Sequence, residues 1–129
     1  MRKLLAAVLP ASLVASTLAF AHHSHANYDI TKWIEIEGTV KQVVFIAPHS
    51  LVYLDVKDDQ GGTAIWALEA TAPAGIFGNG AGRDDVRAGD LIKARCHQLR
   101  DGADGCLLGF ITPLHGDAAR GHGIEREWD

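Results

Sequence analysis

Cysteine is scarce in this chain: Cys96 and Cys106 are its only two thiols among 129 residues. An isolated pair argues against a thiolate metal centre or a redox motif. Basic clusters are missing too, which speaks against nucleic acid and anionic lipid as partners. There is no G-x-S-x-G elbow, no phosphate-cradling glycine loop and no H-E-x-x-H. With no nucleophile constellation and a core too small to enclose a large substrate, an enzyme is not expected. The glycine-rich "GNGAG" at 78–82 carries no lysine and reads as a loop. The pairs Asp58-Asp59 and Asp84-Asp85 lack a calcium-loop spacing, so they read as solvated turns.

What is present begins at the amino terminus. Arg2 and Lys3 precede an uncharged apolar run from Leu4 to Phe20, and Ala19-Phe20-Ala21 supplies the small residues that signal peptidase needs. Residues 1–21 are therefore expected to be a signal peptide, and the protein to be periplasmic or secreted. No cysteine at the junction means no lipoprotein anchor, and no membrane association is expected once the signal is cut. Cleavage leaves 108 residues, enough for one small domain with one core. It also leaves ten basic residues against sixteen acidic ones, a net charge of −6 with histidines neutral.

In an exported chain the two cysteines favour a disulfide. "CHQLRDGADGC" places a turn between them, and a hairpin centred on Asp101 would set Cys96 opposite Cys106 on the same face. The alternative is two small buried apolar residues.

Residues 22–32 are polar and aperiodic, a leader. From Trp33 the pattern alternates by two, with Ile34, Ile36, Gly38, Val40, Val44 and Ile46 on one face, and Gly38 available as a bend or bulge. Further strands are predicted at 51–57, 63–70, 91–97 and 106–112. A helix of a turn or two, capped by Thr71 with Pro73 in its first turn, falls between the third and fourth. This order predicts an all-β domain over 33–113, a small five-stranded OB-fold-like barrel with a short helical insertion between strands three and four. An open meander or small sandwich is the alternative. The charge- and glycine-rich segment 114–129 reads as a flexible tail.

At this point the motifs resemble those of a known family. "AHHSHANYD" at 21–29, "GTV" at 38–40, "APHS" at 47–50, "AGD" at 88–90 and "LRDG" at 99–102 follow one another in order. They resemble a family of small exported bacterial proteins of unknown function, whose pattern runs A-H-H-S, G-T-V, W-x-N-P-H-S, G-D and R-D-G. The resemblance implies a compact barrel-like exported domain and brings no activity with it. Phe45 and Ala47 stand where that family tends to have Trp and Asn, so a role for that Asn in holding the adjacent histidine does not carry over.

The histidines carry the candidate chemistry. Cleavage after Ala21 makes His22 the amino terminus, whose α-amine and imidazole Nδ1 can chelate one metal while His23 and His25 add nitrogens. Such nitrogen-rich sites favour Cu(II), with Zn(II) or Ni(II) less so. The amino-terminal copper–nickel motif needs histidine third, where Ser24 stands, so that motif is absent. His49, after Pro48 in a tight connection, is the best distant ligand. A straight strand would hold it roughly 46 Å from the leader, at ~3.3 Å per residue, and a curved one lets the leader fold back. A disordered tail with idle histidines is the bland alternative. His97, His115 and His122 read as surface.

Two functions follow. The first is a periplasmic metal-binding protein, copper being the favoured ion, with His22, His23, His25 and His49 as ligands. The second is a metal-free module that binds a periplasmic protein or small ligand through the barrel face, with Tyr53, Ile65 and Trp66 on it.

Overall fold

The computed structural model describes residues 25–129. Their elements follow the alternation closely: β1 is Ile34–Val44, β2 Leu51–Lys57, β3 Thr63–Glu69, β4 Leu91–Gln98 and β5 Gly105–Pro113. Helix α1, Pro73–Gly78, lies between β3 and β4, and a two-residue β6, Arg126–Glu127, is the last element.

The length of β1 has a topological reason. Its first half, Ile34 to Thr39, pairs antiparallel with β4, and its second half, Thr39 to Val44, pairs with β2. One strand thus serves both sides of the barrel. At the crossing sits Gly38, where a Cβ would lie 2.6 Å from the Asp55 carbonyl oxygen. Only glycine allows the backbones to approach so closely.

The sheet order β3-β2-β1-β4-β5 closes through a parallel pairing of β3 with β5, Leu68 opposite Cys106. A closed five-stranded barrel with a helix after β3 is the expected OB-like arrangement, and closure removes the free edges of so small a domain. The open meander is thereby set aside. Val40, Val52, Leu54, Leu68, Ile92, Ala94, Leu108 and Ile111 fill the interior, and Ile76 of α1 is buried with them.

Three local expectations need correction at this level. The register of β1 shifts between Val40 and Gln42, so one extra residue reverses the alternation beyond it. Val43 and Phe45 pack on the core, while Ile46, expected inside, is 53% exposed. Helix α1 is capped at Ala72 without a side-chain bond; Thr71 instead donates its N–H to the Trp128 carbonyl. The segment 114–129 is no loose tail. Its β6 pairs with Phe110 and Ile111, and Trp128 is 1% exposed in the core. Burial of one indole outweighs the polar character of the residues around it.

The disulfide Cys96–Cys106 is present, with Cα atoms 5.7 Å apart. Its register differs from the hairpin expectation. Cys96 pairs with Leu108 and Cys106 with Gln98, a diagonal arrangement that arises because the hairpin is centred on Gly102 and not on Asp101.

Candidate functional site

The site assembles where the β1–β2 loop meets the end of β3. Ser50 is buried, donates its N–H to the Thr71 carbonyl at 3.1 Å and accepts from the Ala70 N–H at 2.9 Å. Those two bonds tie the loop to the far end of β3. His49, one residue earlier, is therefore held at the rim with its side chain 43% exposed.

Glu69 is the last residue of β3, and the alternation that buries Leu68 turns Glu69 outward. Its Oε1 lies 2.9 Å from His49 Nδ1. Its Oε2 accepts a 2.7 Å hydrogen bond from the Tyr28 hydroxyl. An ionised carboxylate only accepts, so Nδ1 carries the imidazole proton, and the Nε2 lone pair of a neutral His49 has no partner among the described residues. Burial, then the bond to Glu69 and its charge, push the Tyr28 phenol well above its ordinary pKa. Tyr28 thus remains a donor throughout the physiological range.

Tyr28 belongs to the leader, and the described part of that leader is docked. Its backbone bridges to Leu99, Asp29 donates to the Gln98 carbonyl at 2.9 Å, and Arg100 donates to the Asn27 carbonyl at 2.9 Å. The Arg100 guanidinium adds a 3.1 Å bond from Nε to the Ala26 carbonyl. The leader folds back along the β4–β5 turn and reaches the carboxylate that holds His49.

The remaining candidates divide. His25 is exposed in a short 3-10 turn, His25–Asn27. His22 and His23 lie outside the described residues. Among the described residues no group of three or more His, Cys, Asp or Glu side chains is gathered for a metal ion. His25 and His49 therefore do not make such a centre by themselves.

Tyr53 and Ile65 share an open outer groove with Lys41 and Gln42, and Ile65 is 57% exposed. Trp66 is not on that face: it is half-buried and packs on the core with Val56, because one step along a strand reverses the side. The three histidines read as surface are engaged. His97 donates from Nδ1 to the Lys32 carbonyl at 2.6 Å and lies against Trp33. His115 donates to the Asp85 carbonyl at 3.0 Å, and Nδ1 of His122 accepts from the Gly116 N–H at 2.9 Å.

Glu69, Tyr28 and Arg100 were not candidates from sequence. A lone tyrosine in a polar leader is a weak clue to docking, whereas nothing local marks Glu69.

The architecture defines a small closed β-barrel domain of OB type with a rim histidine oriented by a carboxylate. Residues 11–108 match the profile of a family of unknown function, DUF6152, and the chain belongs to that family. No curated protein and no solved structure matches it significantly. The matched stretch contains the histidine-rich leader, the P-H-S loop and the R-D-G turn, and it ends before Trp128.

Proposed function

We propose that the protein is an exported, periplasmic metal-binding protein, with Cu(II) as the favoured ion, acting in sequestration or delivery and not in catalysis. The observation that carries this reading is the Glu69–His49 pair. Metal-ligating histidines typically donate their second ring N–H to a carboxylate, which fixes the tautomer and raises the basicity of the ligating nitrogen. His49 is held in that way, and its Nε2 has no partner among the described residues. The docked leader supports the reading further, since Tyr28 shares the same carboxylate and His25 lies three residues upstream. His22 and His23 precede it, with the terminal amine of His22 if cleavage follows Ala21. The basic start, the apolar run and the A-x-A triplet support export. Among the described residues no helix is long and apolar enough to cross a membrane.

The test is a calorimetric Cu(II) titration of chains beginning at His22 and of chains with one residue added before it. The added residue turns the amine into an amide, a far poorer ligand, so affinity should fall. His22→Ala, His23→Ala and His49→Ala should each weaken binding, and binding should fade as the solution is acidified, because protons compete with the metal for the ring nitrogens. Equal affinity of extended and unextended chains removes the amine from the mechanism. The second reading, a metal-free binding module, then moves ahead. Its support is the exposed Tyr53–Ile65 groove, a face on which OB-type barrels bind ligands.

A further inference from the structure

The turn at residues 99–102 supplies no ligand to the proposed site, yet it governs where the leader lies. Leu99 bridges Tyr28, and Arg100 holds two successive leader carbonyls, Asn27 through its backbone N–H and Ala26 through Nε. The Cys96–Cys106 disulfide joins the two strands at the foot of this turn. At the other contact, Tyr28 and His49 each donate to a different oxygen of Glu69. A backbone clamp and a shared carboxylate therefore set Tyr28, and the described part of the leader with it, beside His49.

We infer that Tyr28 and Arg100 are positioning residues that set metal affinity by docking the leader beside His49, although neither touches the ion. The inference rests on the metal-binding reading above. The Tyr28 hydroxyl and His49 Nδ1 hold both oxygens of Glu69. Losing the hydroxyl frees the carboxylate to turn, and the imidazole it orients turns with it. Losing the Arg100 guanidinium removes the bond to the Ala26 carbonyl while the backbone bond to Asn27 stays, so the leader is held less firmly upstream of Asn27 and that ordering must then be supplied when the metal binds. The coupling is reciprocal: an ion held by leader and His49 together steadies the Tyr28–Glu69 bond as much as that bond strengthens the ion's hold.

The experiment uses the chain beginning at His22, which contains the whole barrel, with Cu(II) as the probe. Tyr28→Phe keeps the buried ring and removes the hydroxyl; Arg100→Ala alters an exposed side chain and leaves the core untouched. Tyr28→Phe should weaken Cu(II) binding about ten-fold, as loss of an orienting partner typically does, and Arg100→Ala should weaken it by a smaller factor because the backbone bond to Asn27 remains. Tyr28→Phe added to His49→Ala should cost no more than His49→Ala alone, because the leader then has no partner ligand to meet. A readout independent of metal is the His49 tautomer, seen by long-range nitrogen NMR. The wild-type ring should be protonated on Nδ1, and Glu69→Ala should shift the proton toward Nε2. Copper binding by the wild type with unchanged affinity in Tyr28→Phe and Arg100→Ala would overturn the inference and leave the reading standing. So would an Nε2-protonated wild-type ring, or full additivity with His49→Ala. No copper binding by the wild type would overturn both.

Discussion

Phe45 and Trp128, at the end of the first strand's path and next to the end of the chain, stack with ring centroids 6.0 Å apart. Phe77 of the helix also packs against Phe45, with centroids 5.2 Å apart. The last residues therefore close the barrel end nearest the P-H-S loop, and the Trp128 carbonyl receives the Thr71 N–H at 3.0 Å. Trp128→Ala should lower stability by about 3–5 kcal/mol, the range for emptying a buried aromatic site. Chemical denaturation checks this. A loss under about 1 kcal/mol would mean that the terminal segment does not complete the core.

The disulfide should be quantitative in protein purified without reductant. Its loop is short, ten residues in sequence separation, so reduction should lower stability by ~2–3 kcal/mol through the entropy of the unfolded chain. Thiol titration under denaturing conditions measures the first point. Two reactive thiols per chain would contradict it.

Acid should weaken the contact between the terminal segment and Asp90, the residue before β4. Desolvation raises the Asp90 pKa, but hydrogen bonds from the Arg120 guanidinium and the Arg87 N–H outweigh it and hold the carboxyl below its ordinary range. A group depressed in the folded state stabilises above its unfolded pKa. The contribution should therefore be complete above about pH 5, given an ordinary aspartate pKa of ~3.9, and fade as pH falls through the lower folded value. Asp90→Asn should cost stability at pH 7 and progressively less toward pH 2. A pH-independent difference between variant and wild type would refute this.

Much of the barrel was legible because alternation is local. The expected 51–57 is β2 itself, β3 and β4 start where expected and end one residue away, and β5 is one residue longer at each end. The reading failed at Val44 and Ile46, where one inserted residue reversed the faces, and at Trp128, a lone indole in "EREWD" whose partners are Phe45 and Thr71. The site was half legible. The P-H-S loop marked His49, but its partner Glu69 lies one hairpin away, and Tyr28 reaches Glu69 across 41 positions.

The sequence alone determined the strands, the turns, the cysteine pair and the histidine-rich leader, since each depends on the conformational preferences and chemistry of neighbouring residues. Tertiary structure decided the closure of β3 on β5, the bulge after Val40 and the docking of the leader on the Leu99–Arg100 turn. Those follow from pairing between distant segments and from the burial of shared apolar surface. The meeting of Tyr28 and His49 on one carboxylate is of that second kind, because only the closed barrel brings the leader, the β1–β2 loop and the end of β3 to the same rim.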